Sequence, residues 1–287
     1  MVWCDGAMAA NVHRAAGPGP QPPRTVRVAR LAWRGGKATS EDDEVVLEEP
    51  LEIRLNGRAV SVTMRTPGDD AALALGFLWG EGIVQRPDDI LGVEEASENA
   101  VDVQVSAAVL QRGGWQRNFY STSSCGVCGK ASLSQIRAPG GSPAPSEPLP
   151  AGDLPAILGP LRAAQAVFER TGGLHAAGRV GADLTLRCIA EDVGRHNAVD
   201  KLVGAALLNQ EVPLTGEVLA VTGRAGFELV QKAVAAGFAA LVAVGAPSSL
   251  GIVLAKERGL GLVGFLRENG FNIYASPERF SLRGRPR

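Results

Sequence analysis

The chain has 287 residues, 45% of them apolar, and its 29 basic and 30 acidic side chains nearly cancel. That length supports two hydrophobic cores, while the neutral balance argues against broad nucleic-acid binding, so any anion site must be built locally. No apolar run approaches a bilayer span and the N-terminus lacks the basic-then-apolar order of an export signal, so the expected setting is cytoplasmic, with neither membrane nor nucleic acid as partner.

Residues 1–24, ending "AAGPGPQPPR", read as a disordered leader in which Cys4 and His13 carry no weight. "TVRVARLAW" and "EVVLEEPLEIRLNGRAVSVTMRT" follow as strands, with Asn56-Gly57 as a hairpin turn. "PGDDAALALGFLWGEGIV" reads as one helix capped near Gly68, Asp69 and Asp70, and "VDVQVSA" returns to strand. These make an N-terminal α+β domain over 25–137, a small mixed sheet carrying a helix, which ends in the segment holding Cys125 and Cys128. The Pro, Gly and Ser run 138–150 is the expected linker to a second domain over 151–287. There "LTLRCIA", "EVLAVTG", "AALVAVGA" and "GLVGFLR" are apolar strands, the last three separated by the helix patterns "FELVQKAVAAG" and "SSLGIVLAKERG". The alternation implies an α/β fold with a largely parallel sheet covered on both faces.

In such sheets ligands sit where strand ends enter helices, and the polar residues gather there: "EDVGRHN", "TGRAGFE", "GAPSS" and "RENGFN". Asn197 and Asp200 have capping-box spacing, which would leave Gly194, Arg195 and His196 at a helix N-terminus suited to phosphate. Thr222, Gly223 and Arg224 repeat the device, so two Arg corners suggest a diphosphate. The bland alternative is that these arginines pair with Glu191, Asp192 or Glu228 in ordinary turns. His175 reads as a packed histidine, whereas His196 has Asp192 one turn earlier to orient its ring. Cys188 lies in an apolar strand and reads as a small buried hydrophobe.

"SCGVCGK" holds Cys125 and Cys128 two residues apart. Structural zinc needs two more ligands than this pair provides, and His175 and His196 lie far along the chain. A zinc deaminase would place His-x-Glu before Pro-Cys-x-x-Cys, and here the pair precedes both histidines. A thioredoxin-like pair opens a helix, which Gly126 and Gly129 oppose. No metal is expected. The remaining reading is a pair of accessible thiols, with Lys130 favouring thiolate, able to hold sulfur as a persulfide.

"LEIRLNG", "MRTPGDDAALALGFLWGEGIV", "STSSCGVCGK", "TGGLHAA", "EDVGRHNAVDKLVG", "TGRAGFELVQKAV" and "GFLRENGFNIY" together resemble the FdhD family, the formate dehydrogenase accessory sulfurtransferases, over about residues 25 to 280. The resemblance implies a C-terminal cytidine-deaminase-like α/β/α sandwich and a homodimer. It implies a carrier that takes sulfur from a cysteine desulfurase and passes it to the molybdenum bis(molybdopterin guanine dinucleotide) cofactor as substrate, for formate dehydrogenase. Cys125 would then bear the persulfide with Cys128 as partner. The cofactor segment would be Phe265, Leu266, Arg267, Glu268, Asn269 and Gly270, and GDP-like guanine nucleotides could occupy the same pocket. "TGRAG" stands where "SGRxS" is expected, and Gly261 where a threonine is usual. The alternative from another class is a non-catalytic cofactor-binding chaperone whose cysteines are metal ligands or spectators.

Overall fold

A computed structural model describes residues 2–4, 22–113, 119–120 and 140–282. Cys125 and Cys128 lie outside the described residues, as does most of the expected leader. In chain order the N-terminal elements are β1 (Val2–Cys4), β2 (Thr25–Arg34), β3 (Lys37–Val46), β4 (Glu49–Leu55), β5 (Arg58–Arg65), α1 (Asp70–Gly80), β6 (Ile90–Ser97), β7 (Ala100–Val105), α2 (Ala107–Arg112) and β8 (Phe119–Tyr120). There follow β9 (Leu149–Pro150), α3 (Leu158–Ala163), α4 (Ala166–Thr171), β10 (His175–Val180), β11 (Leu186–Asp192), α5 (Arg195–Leu208), β12 (Val218–Val221) and α6 (Phe227–Ala236). The last are β13 (Ala240–Ala243), α7 (Ser249–Arg258), β14 (Gly261–Arg267), β15 (Gly270–Ala275) and β16 (Phe280–Ser281).

A mixed sheet in the order β6-β7-β4-β5-β8 forms the N-terminal layer. Alternation in β4 buries Leu51, Ile53 and Leu55 beneath α1, and Asn56 and Gly57, both at positive φ, make the tight turn into β5. The helix expected across 67–84 is shorter. It starts after Asp69, which is left-handed, and stops at Gly80, where Glu81 and Gly82 turn back to donate to Phe77 and Trp79 carbonyls. Nearly every residue of α1 is buried, because it is sandwiched between this sheet and α5. The crossing is close: a Cβ on Gly76 would fall 1.9 Å from the Asp200 carbonyl oxygen, and one on Gly204 1.8 Å from that of Ala72.

The larger sheet runs β1-β11-β10-β12-β13-β14-β15. Only β12, β13 and β14 pair in parallel, which corrects the expectation of a largely parallel sheet. The reason is connection length: β10 to β11 and β14 to β15 turn back within a few residues, too short for a crossover helix. The strands β10 and β15 were not expected. Coverage of both faces is as anticipated. One face packs α5, α6 and α7 in a core continuous with that of α1 and the smaller sheet. The other is covered by Leu149, Leu154, Ile157 and Leu161. The described part of the Pro-rich run, 140–150, lies against the C-terminal half: Arg279 donates to the carbonyls of Pro143 and Ala144, and Leu149 is buried.

Cys188 is buried as expected but is not a thiol, because it is disulfide-bonded. The residue in register with it across β1 and β11 is Cys4.

Candidate functional site

The carboxyl ends of β12, β13 and β14 carry three loops stacked by their backbones. Gly245 donates to the Gly223 carbonyl at 3.0 Å, and Phe265 donates to that of Gly245 at 3.1 Å. A Cβ on Gly245 would meet the Gly223 oxygen at 2.6 Å, so glycine is required for this approach. Because β10 runs antiparallel to β12, its first residue, His175, arrives at the same end, as do Asp192 and the start of α5.

Gly223 sits between Arg195 and His175: a Cβ there would lie 3.3 Å from Arg195 Cδ and 3.5 Å from His175 Nδ1. The structure therefore brings Gly194, Arg195, His196, Thr222, Gly223 and the exposed Arg224 to one crevice. Thr222 serves the sheet rather than the crevice, its hydroxyl accepting from the Ala176 amide at 2.9 Å and extending the β10–β12 ladder. In the segment 265–270, Phe265 is exposed and held at φ 55, whereas Leu266 is buried in the core of the opposite face. Arg267 folds back onto the Val244 carbonyl at 2.7 Å, and Glu268 and Asn269 form the exposed turn leading to Gly270.

Helix α5 begins three residues earlier than a cap at Asn197 requires, with Gly194 at the N-cap and no side-chain cap bond. Asn197 and Asp200 thus do not form the expected capping box. Asn197 donates to Met64 O (2.7 Å) and Asp192 Oδ1 (2.9 Å), while Asp200 takes Lys232 Nζ at 2.6 Å. The N-terminus of α6, at Gly226, also has no side-chain cap, whereas α7 is capped by Ser248. The crevice is therefore faced by two helix starts whose first amides have no side-chain cap.

Asp192 does not orient His196. Fully buried, it pairs with Lys201 at 2.8 Å and accepts from the amides of Thr66 and Gly194. The partner of His196 is Glu228, 3.5 Å away on α6. One turn deeper, Asp200 and Lys232 pair at 2.6 Å and join α5 to α6, each residue four positions beyond His196 or Glu228 on its helix. Burial pushes the Asp200 carboxyl up to about 6, against the pull of Lys232. Burial also depresses both His175 and His196 below the ordinary histidine value, so both are neutral at neutral pH and leave the positive charge to the arginines. Among the described residues no group of three His, Cys, Asp or Glu side chains has metal-holding geometry.

Sequence reasoning missed Lys201 and Lys232, and offered Glu228 only as a partner for the arginines. Their signal was the spacing of four between His196 and Asp200 and between Glu228 and Lys232, which on one helix looks like a solvated face.

The strand that precedes the cysteine segment pairs close to the start of α5. β8 pairs in parallel with β5, Tyr120 opposite Val62, and one residue further along β5 Thr63 donates to Asn197 Oδ1 at 3.3 Å. Cys125 follows Tyr120 by five positions, a reach of about 17 Å when extended.

Comparison with known proteins agrees with this organisation. Residues 46–281 match the model of the FdhD/NarQ family. The sulfur carrier protein FdhD of Streptomyces coelicolor is 50% identical, the match covering 90% of this chain and 96% of that protein. Its counterpart in Mycobacterium tuberculosis is 46% identical, with 83% and 92% covered. The crystal structure of a protein described as a formate dehydrogenase accessory protein from Desulfotalea psychrophila superposes with a TM-score of 0.72 at 25% identity, covering 90% of this chain and all of that one. With a family model spanning most of its length and relatives at half identity, this chain belongs to the FdhD/NarQ family.

Proposed function

We propose that this protein is a cytoplasmic sulfurtransferase that carries sulfur as a persulfide on Cys125. The reading rests on the name borne by its relatives, sulfur carrier protein, and on one observation of this chain: β8, which ends five residues before Cys125, pairs with β5 one residue short of Thr63, which donates to Asn197 of α5. In the first step the Cys125 thiolate attacks the outer sulfur of a persulfide on a cysteine desulfurase. The donor's S–S bond breaks, its thiolate leaves, and Cys125 holds the sulfur. Attack by Cys128 on the inner sulfur then releases hydrosulfide and leaves a Cys125–Cys128 disulfide, which a cellular thiol reduces.

The recipient is the molybdenum bis(molybdopterin guanine dinucleotide) cofactor destined for formate dehydrogenase. Its diphosphate lies against the α5 and α6 N-termini, with Arg195 and Arg224 as charged donors and the 265–270 segment beside it. A homodimer is the working form. The rival reading, a binding chaperone with spectator thiols, shares the crevice but not the persulfide.

Intact-mass spectrometry after incubation with a cysteine desulfurase and cysteine separates the two. The wild type should gain steps of about 32 Da, one sulfur each, and Cys125→Ala should gain none. A Cys125→Ala protein loaded like the wild type sinks the carrier reading. For the crevice, Arg195→Ala and Arg224→Ala should each weaken GDP binding about tenfold, the worth of one charge-assisted hydrogen bond. Unchanged calorimetric affinity in both variants removes the diphosphate site.

A further inference from the structure

Two of the chain's three histidines stand at the strand-end crevice, and their surroundings differ. His196, near the start of α5, has Glu228 of α6 as its neighbour. His175, half-buried as the first residue of β10, has no hydrogen bond to its ring among the described residues. A histidine held only by packing would take the carboxylate beside it, and the β10–β11 register sets Asp192 directly opposite. That carboxylate is already engaged, by Lys201, the amides of Thr66 and Gly194, and the side chain of Asn197. The ring of His175 therefore lacks the hydrogen bonds of the packed histidine that "TGGLHAAG" suggests.

Opposed residues of two antiparallel strands share a face of the sheet, so His175 lies on the α5 side with Asp192. Its Nδ1 is 3.5 Å from where a Cβ on Gly223 would stand, and Arg195 Cδ is 3.3 Å from the same point. The imidazole and the Arg195 side chain thus flank one glycine at the end of β12, and glycine adds no side chain between them. Burial, then Arg195 and His196 of α5, keep His175 neutral against the pull of Asp192 from β11, while the β12 end facing it is uncharged Gly223. An anion entering beside Arg195 reverses that balance, because it offsets the guanidinium and draws a proton to the ring.

We propose that His175 is a third donor to the diphosphate and binds it as the imidazolium, the ring taking one proton from solvent as the anion settles between it and Arg195. No electrons move, and the proton returns to solvent when the anion leaves. This rests on the diphosphate reading of the crevice given above and adds to it a residue and a pH dependence. Because the bound state holds the extra proton, affinity rises as pH falls through the bound-state value of His175 and levels off below its free-state value.

Three histidines give three ring signals in protein labelled with carbon-13 histidine, assigned with His175→Asn and His13→Asn. Followed by NMR from about pH 5 to about pH 8, the His175 signal should titrate at higher pH with saturating GDP than without it, and the His13 signal alike in both. Calorimetry gives the second readout. His175→Asn keeps a donor but cannot take the proton, so it should bind GDP about tenfold more weakly than wild type at about pH 6 and equally at about pH 8. Comparing the two proteins at each pH cancels the titration of GDP itself, and a merely structural role would cost the same at both. GDP binding that leaves the His175 titration unmoved, or a His175→Asn affinity in the same ratio to wild type at both pH values, overturns the role of His175 and leaves the crevice standing. A wild type that gives neither heat nor a shifted signal with GDP overturns the diphosphate reading, and this inference with it.

Discussion

Valine in place of Gly204 should cost at least about 3 kcal/mol of stability, read as a lowered urea midpoint with an unchanged slope. The obstacle is main chain, not a side chain that can swing aside: the new Cβ would lie 1.8 Å from the Ala72 oxygen and 2.6 Å from its carbon. Relief requires α1 and α5 to part, which opens the seam where Leu73, Leu75, Val199 and Leu202 share one core. Gly76→Val should behave alike, since its Cβ would fall 1.9 Å from the Asp200 oxygen. Gly152→Ala serves as control, because nothing lies within 4 Å of a Cβ there. A Gly204→Val protein with a wild-type midpoint would show that the two helices do not cross this closely.

Lys201→Met should cost about 3 to 5 kcal/mol, the usual result of leaving a buried charge without its partner. Asp192 and Lys201 are both 0% exposed, and Lys201 also donates to the Thr66 carbonyl at 2.7 Å. Removing the ammonium strands a carboxylate that no water reaches. The double variant Asp192→Asn, Lys201→Met should recover part of the loss, since no uncompensated charge then remains, and the coupling from the double-mutant cycle should exceed about 1 kcal/mol. Losses that simply add would mean that the two residues do not act as a pair.

Both results depend on contacts between residues far apart in the chain, which is where the sequence was least readable. Strands with strict alternation, such as β4, or bounded apolar runs, such as β12 and β13, could be located because the pattern is local. β10 was missed: "HAAGRV" has small residues where a strand usually shows branched or aromatic ones, and Gly178 is needed because a Cβ there would press on Leu161 and Leu186 at 2.9 Å. Asn197 and Asp200 imitated a capping box because their spacing is right, yet their partners are Met64 and Lys232, which no reading of one helix supplies. The crevice itself was legible, since parallel strand ends collect polar loops whatever the rest of the sheet does. What could not be read was which polar residues face into it. Thr222 is committed to Ala176, Leu266 to the opposite core and Asp192 to Lys201, and each commitment requires the register of a neighbouring strand or helix.

The contacts between α5 and α6 also bear on how an anion would be received. With Asp200 held to Lys232 at 2.6 Å and His196 packed 3.5 Å from Glu228, the spacing and rotation of these helices belong to the fold rather than to any ligand. Their first amides are preorganised, so little of the affinity is lost to selecting a rare competent conformer. Discrimination among anions then falls to Arg195, the first residue of α5, and to the loop that carries Arg224.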